Sequence, residues 1–251
     1  MAIDHTITDG IAEVVMCTPP VNALDVAGWF ALADLFASLG ADPAVRVVIL
    51  TADGRGFNAG VDIKEMQRTP GHEALVAANE GCYAAFAAVY ACAVPVIAAV
   101  HGYCLGGGIG LVGNADLVIA SDDATFGLPE VDRGALGAAT HLARLVPQQR
   151  MRAMVYTCER ATAQELLGHG TVYRVVPRAE LRDAARALAA QIASKRPRVI
   201  RAAKASLNGI DPVDVNRSYR FEQGFTFELN LAGEGDRARD AFIADDGEGE
   251  A

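Results

Sequence analysis

The feature that most restricts the fold is a charge-free apolar run, Val94-Pro95-Val96-Ile97-Ala98-Ala99-Val100, followed by His101-Gly102-Tyr103-Cys104-Leu105-Gly106-Gly107-Gly108 and then Ile109-Gly110-Leu111-Val112-Gly113. An apolar run this short, without alternation, reads as a strand buried on both faces. The stretch after the glycines reads as the first turns of a helix. Three consecutive glycines between the two let the backbone take unusual dihedrals and approach a ligand closely. Free N–H groups at a helix start, assisted by the helix dipole, favour negative charge. The segment is therefore a candidate cradle for an oxyanion or a phosphate. The same residues contain Gly108-Ile109-Gly110-Leu111-Val112-Gly113, which fits the G-x-G-x-x-G dinucleotide fingerprint, with Glu130 at a suitable distance as its acid. Against that alternative, these glycines would lie inside the helix rather than in the turn before it, and three strands precede the segment.

Strand, glycine loop and helix recur along the chain. Residues 3–7 and 11–16, separated by Thr8-Asp9-Gly10, read as a hairpin with an Asp-Gly turn. From Asp25 the spacing of Trp29, Leu32, Leu35, Phe36 and Leu39 predicts a helix closed by Gly40. A buried strand is expected over 45–50, then a glycine-rich loop to Gly60, then a helix with Asp62 as N-cap and Glu65 three residues on. A third unit follows at 116–120, with a short extended piece at 124–127. Such repetition predicts a mostly parallel sheet covered on both faces, an α/β fold. Beyond Gly134 the pattern is helical, over 135–145, 150–157, 161–167, 180–193, 197–207 and 213–229, with a short extended piece over 172–176. No Ser/Gly/Pro linker separates this half, so a helical extension on one core is expected. The acidic end, Asp245-Asp246-Gly247-Glu248-Gly249-Glu250, reads as structureless.

Thirty-one acidic against 22 basic residues, net charge −9, argue against nucleic acid or an anionic membrane as the main partner. An anionic small ligand would need a local cluster of basic side chains. The five cysteines (Cys17, Cys82, Cys92, Cys104, Cys158) are odd in number and form no Cys-x-x-Cys pair, so neither a disulfide framework nor a zinc site is expected. Reduced thiols, the lack of a signal-type apolar stretch over residues 1–10 and the lack of an uninterrupted apolar run of membrane length predict a cytoplasmic protein.

Chemistry concentrates in three places. The loops Asn58-Ala59-Gly60-Val61-Asp62 and Leu105-Gly106-Gly107-Gly108 can each offer a backbone N–H to one oxygen, as acyl-transfer and enolate chemistry requires. Glu130, after Pro129, supplies a proton-handling group whose pKa would rise against apolar walls; a loop glutamate that is simply solvated is the alternative. His141, after the small-residue run Gly137-Ala138-Ala139-Thr140, is a second catalytic candidate or a packed ring. Asp62 reads first as a helix cap and His101 as structural. Lys64, Arg55 and Arg68 are either solvated or available to a phosphate.

In order and spacing, Asn22-Ala23-Leu24, Gly56-Phe57-Asn58-Ala59-Gly60-Val61-Asp62-Ile63-Lys64-Glu65-Met66, the segment from Pro95 to Gly108 and Phe126-Gly127-Leu128-Pro129-Glu130 resemble the enoyl-CoA hydratase/isomerase (crotonase) superfamily. The resemblance spans essentially the whole chain. It implies a crotonase spiral of ββα units over residues 1–195. It also implies a C-terminal helical region over 196–251 for trimerisation and active-site cover, with a disordered acidic tail from about 244. The implied substrate is an acyl-CoA thioester, with coenzyme A part of the substrate and no separate cofactor or metal. The implied assembly is a homo-trimer or a hexamer built as a dimer of trimers. By the same resemblance the N–H groups of Val61 and Gly107 hold the thioester oxygen. Backbone from Ala59 through Asp62 to Ile63, with Lys64, Gly106 and Gly110, contributes to substrate binding.

The hydratases of the family use two glutamates. The second matches Glu130, while the first falls where this chain has Gly110, a departure expected to remove ordinary hydration and to free volume for a bulkier acyl group. Glu65-Met66-Gln67-Arg68, the residues from Gly127 to Leu142 and Gln223-Gly224-Phe225-Thr226-Phe227-Glu228-Leu229-Asn230 further resemble members of the superfamily that act in steroid degradation. The activity this implies is hydrolytic C–C ring opening of a bicyclic keto acyl-CoA, with ordinary enoyl-CoA hydration or isomerisation as the alternative.

Overall fold

The computed structural model describes residues 3–69 and 71–248, with side chains followed as far as residue 241. The first half contains β1 (Ile3–Thr8), β2 (Ile11–Met16), α1 (Val26–Ala41), β3 (Val47–Ala52), α2 (Ile63–Arg68), α3 (Glu73–Ala91), β4 (Val96–Val100), β5 (Tyr103–Leu105), α4 (Gly107–Asn114), β6 (Leu117–Ser121) and β7 (Thr125–Gly127). A 3-10 turn at Val131–Arg133 leads to α5 (Ala139–Leu142), α6 (Gln148–Thr157), β8 (Ala161–Thr162), α7 (Ala163–His169), β9 (Arg174–Val176), α8 (Leu181–Ala193), α9 (Pro197–Gly209), α10 (Val215–Leu231) and α11 (Glu234–Glu248).

The large sheet has the order β1-β2-β3-β4-β6-β9 and is parallel except for the β1–β2 hairpin. Asp9 and Gly10 at the hairpin tip have φ of +53° and +80°, the left-handed pair that a tight Asp-Gly turn needs. Alternate residues face opposite ways. Val48, Leu50, Ala98 and Val100 enter the main core with Trp29, Phe36 and Phe86, whereas Val47, Ile49, Ile97, Ala99 and Ile119 meet Leu181, Ala185, Ala189 and Ala193 of α8. Burial on both faces explains why these strands read as continuous apolar runs. Three times the chain passes from a sheet strand, through a short extended piece in a second layer, into a helix. The second layer is β5-β7-β8, extended by a bridge from Asn58 to Cys104.

α3 has the length and mean hydropathy of a membrane-crossing helix, although Asn79 and Glu80 interrupt its sequence. It is a core helix: Ala78, Gly81, Cys82, Ala85, Phe86 and Val89 are buried, and it packs on α1 and α4. All five cysteines are free thiols.

Several boundaries differ from expectation for identifiable reasons. α1 continues through Gly40 to Ala41, with Asp42 as its C-cap, because Gly40 serves packing: a Cβ there would lie 3.1 Å from the Ala93 nitrogen. β3 begins at Val47, since Val45 N–H closes a turn onto Asp42 O. The helix expected over 135–145 is reduced to α5, with Gly137 and Ala138 at φ +154° and +61°. The acidic end is not structureless from 244. α11 starts on Arg237 and Arg239 pairing with Glu234 and Asp236, docks on the 3-10 turn, and propagates to Glu248; residues 249–251 lie outside the described residues.

The Arg201-Ala202-Ala203-Lys204 segment ties α9 to the sheet. Arg201 donates to the carbonyls of Gly40, Asp42 and Val45. Lys204, 3% exposed, places Nζ 2.6 Å from Asp116 Oδ2, which also accepts from Val96 N–H. Lys204→Met leaves Asp116 largely uncompensated and is expected to cost about 3 kcal/mol, read as a lowered urea midpoint at unchanged slope.

Candidate active site

Two buried asparagines build the first loop. Asn22 Nδ2 donates to the carbonyls of Asp53 and Gly56, and Asn58, fully buried, donates through Nδ2 to Asn22 O and accepts Gly60 N–H on Oδ1 at 2.8 Å. Leu24 N–H then bonds Gly60 O and Asp62 N–H bonds Leu24 O, both at 2.9 Å. Val61 is thereby pinned on both sides, while its own N–H donates to no protein acceptor among the described residues. Asp62 caps α2 by accepting Lys64 N–H. Glu65 completes no capping box; its Oε2 reaches instead to Val26 N–H at the start of α1, a link sequence spacing did not reveal.

The second loop meets the first at Gly60 and Gly107. A Cβ on Gly60, which has φ +91°, would lie 3.1 Å from the Gly107 nitrogen, so only glycine permits this approach. Gly106, at φ +55°, donates to Gly127 O and turns the chain into α4. Gly107 is the first residue of α4, and its N–H also donates to no protein acceptor among the described residues. Two unspent donors, one at a helix start, thus face a cleft of about 940 Å³ that both residues line.

Glu130 lines the same cleft. Its carbonyl accepts from Arg133 and Ala135 N–H at 2.9 and 3.0 Å, which locks the turn that carries it. Its carboxyl leans on the second loop, so that a Cβ at Gly106 would come within 2.7 Å of Oε1, while Oε2 is sealed from solvent with no hydrogen-bond partner among the described residues. Burial first, then the charge of Glu222, raises its pKa to about 8 despite Arg133. The solvated-acid alternative is therefore excluded, and the carboxyl exchanges its proton near neutral pH.

Ala59, Asp62, Ile63, Lys64 and Gly106 line the cleft with Arg55, whereas Arg68 pairs with Asp62 at 3.9 Å and does not. His141 does not reach it. Its ring, 1% exposed, lies 5.1 Å from the Phe86 ring and 5.0 Å from that of Tyr219, and those two rings line the cleft in its place. Among the described residues neither ring nitrogen has a hydrogen-bond partner, and burial lowers its pKa to about 3, so the ring stays neutral. Gly110 is likewise absent from the cleft wall. A Cβ there would fall within 2.6 Å of three ring carbons of Phe86, so the volume expected to be free is filled by that ring. His101 is structural, with Nε2 3.2 Å from Gly54 O.

Other residues escaped sequence reasoning. Cys82, Phe86 and Tyr219 shape the cleft but read along the chain as ordinary core positions of α3 and α10. A second cavity, of about 570 Å³, lies between the α2–α3 turn and α11, shares Met66, Leu75 and Arg239 with the cleft, and contains none of the candidate residues.

A parallel sheet with a second strand layer, two glycine loops presenting free N–H groups and one buried carboxyl define a crotonase-type site. The model of the enoyl-CoA hydratase/isomerase family matches residues 6–225, and the chain belongs to that family. Among its relatives, the (7aS)-7a-methyl-1,5-dioxo-2,3,5,6,7,7a-hexahydro-1H-indene-carboxyl-CoA hydrolase of Rhodococcus jostii (strain RHA1) is 66% identical over 235 residues, covering 94% of this chain and 91% of that protein. The protein of the same name from Mycobacterium tuberculosis (strain ATCC 25618 / H37Rv) is 62% identical over 234 residues, covering 93% and 95%. In three dimensions, an enoyl-CoA hydratase/isomerase from Xanthobacter autotrophicus Py2 superimposes with a TM-score of 0.87 at 26% identity, over 97% of this chain and 92% of that one.

Proposed function

We propose that this enzyme opens a carbocyclic ring of a bicyclic keto acyl-CoA by hydrolysis, its substrate being the indene-carboxyl-CoA named for its 66%-identical relative. The observation that carries this reading is the Glu130 carboxyl, its Oε2 closed off from solvent, in one cleft with the free N–H groups of Val61 and Gly107, with Phe86 standing where an acid at position 110 would have to project. Glu130 takes a proton from water as the oxygen adds to the ring ketone. The bond between that carbon and the ring fusion breaks, and its electron pair moves through the ring double bond onto the thioester oxygen. The N–H groups of Val61 and Gly107 hold the resulting enolate, each such donor contributing on the order of 3 kcal/mol. Glu130 then returns its proton to carbon, leaving a free carboxylic acid and an intact thioester, so the balance is one water added. Mass analysis of the product should show that single addition; no turnover of the bicyclic thioester together with fast hydration of crotonyl-CoA would replace this reading with enoyl-CoA hydration.

Coenzyme A enters as part of the substrate, with Ala59, Asp62, Ile63, Lys64 and Arg55 along its path and no further cofactor required. A trimer or dimer of trimers belongs to the same reading and is supported by apolar side chains exposed on α9 and α10, among them Leu207, Phe221 and Phe225; a monomer mass in equilibrium sedimentation would remove it. A cytoplasmic setting fits the free thiols.

The base must be ionised to accept a proton. With Glu130 protonated below a pKa of about 8, kcat/KM is expected to rise about tenfold per pH unit up to pH 8 and level off above it. A profile that falls through pH 8 would assign Glu130 only the acid role.

A further inference from the structure

Glu222, on α10, is half-hidden by the segment it grips. Its Oε2 accepts Ala139 N–H at 2.9 Å, and its Oε1 accepts Thr140 N–H at 2.6 Å together with the Thr140 hydroxyl. One turn further along α10, Thr226 Oγ1 accepts Leu136 N–H at 3.0 Å and donates to Leu136 O. Between these anchors lie Gly137 at φ +154° and Ala138 at φ +61°, a conformation that an alanine keeps only when its surroundings hold it. Residues 135–138 line the cleft, and Ala135 N–H is bonded to the carbonyl of Glu130. One carboxylate on α10 therefore shapes both a wall of the cleft and the residue that follows Glu130's own turn.

We propose that Glu222 is a positioning residue of the Glu130 reaction: it holds residues 135–140 as a wall of the cleft and sets a second carboxylate beside Glu130. The proposal rests on the reading of Glu130 as the proton-handling group. The groups whose charge reaches Glu130 are Glu222 and Arg133, acting in opposite senses, while the thiols of Cys82 on α3 and Cys158 after α6 and the Tyr219 hydroxyl on α10 are near enough to feel its charge. Glu222 raises the pKa of Glu130, so removing its charge makes Glu130 ionise more readily.

The test uses the full chain, the bicyclic indene-carboxyl-CoA, and the pH profile of kcat/KM. E222Q keeps the side-chain length but loses the charge, and is expected to move the midpoint of the rising limb to lower pH. E222D keeps the charge but falls one methylene short of Ala139 and Thr140, and is expected to raise KM at least tenfold with the midpoint in place. Wild-type midpoint in E222Q together with wild-type KM in E222D would overturn the proposal. If E222Q does not fold, E222D and Thr140→Val, which removes one bond to Glu222, decide through KM alone, and unchanged values overturn it. Failure of the underlying reading looks different: the wild-type profile then lacks the limb near pH 8 and E130Q stays active.

Discussion

Glu130→Gln is expected to lower kcat for ring opening by about three orders of magnitude and, at pH 8 and above, to raise the melting temperature. The kinetic half follows from the role proposed for Glu130 as the group that takes and returns the proton, a contribution of about 10²–10⁴-fold. The stability half follows from linkage. An exposed glutamate ionises near its ordinary value of 4.5, whereas Glu130 does so at about 8 in the folded enzyme. Below pH 4.5 the residue is neutral in both states and carries no penalty. Between pH 4.5 and 8 the unfolded chain gives up this proton while the folded enzyme keeps it, so stability falls across that window by up to a few kcal/mol and levels off above pH 8. Glutamine never ionises, so the variant's advantage should appear between pH 5 and 8 and persist above. Thermal melts at pH 5 and pH 8.5 beside single-turnover assays measure both halves. A catalytically dead variant that is also less stable at pH 8.5 would mean that the carboxyl holds the turn together rather than handling the proton.

Gly110→Ala is expected to destabilise by about 1–3 kcal/mol, although the same change inside an ordinary helix stabilises by about 1 kcal/mol. The sign is decided by Phe86, whose ring occupies the space the new methyl needs and is itself held edge-on by Trp29 at 5.6 Å and by His141 at 5.1 Å. Phe86→Leu should therefore recover much of the loss in the double variant, a coupling that denaturant titration of the four-member cycle measures. Gly110→Glu, the change that would restore a second carboxylate, should by the same argument confer no crotonyl-CoA hydration alone, since it drives a charge into this ring cluster. Hydration by the single variant at wild-type stability would show that Phe86 yields.

These two residues also mark where sequence legibility ends. The Asp-Gly hairpin, the helix starting at Asp25, the Asp62 cap and the strand–glycine–helix recurrence are local signals, and the chain obeys them. Glu130 was legible as a candidate because proline and glycine set it in a turn against apolar sequence. What filled the space beside Gly110 was not, because Phe86 lies on another helix and reads as one more buried aromatic of α3. Ala135, Leu136 and Ala138 are good helix formers, yet with Gly137 among them the segment stays unwound, and Glu222 and Thr226, some eighty to ninety positions later, claim the backbone around it. The packed, neutral state of His141 follows from the same convergence of α3, α5 and α10.

The grip of α10 on residues 135–140 has a consequence for how the enzyme comes into being. Glu130 leaves the ribosome more than eighty residues ahead of Tyr219 and Glu222, the two groups of α10 that stand close to it in the finished fold. The contacts that hold the 135–140 segment in its unusual shape come from that helix. The setting of Glu130 is therefore completed only by the last third of the chain, although the sheet and both glycine loops are encoded before it.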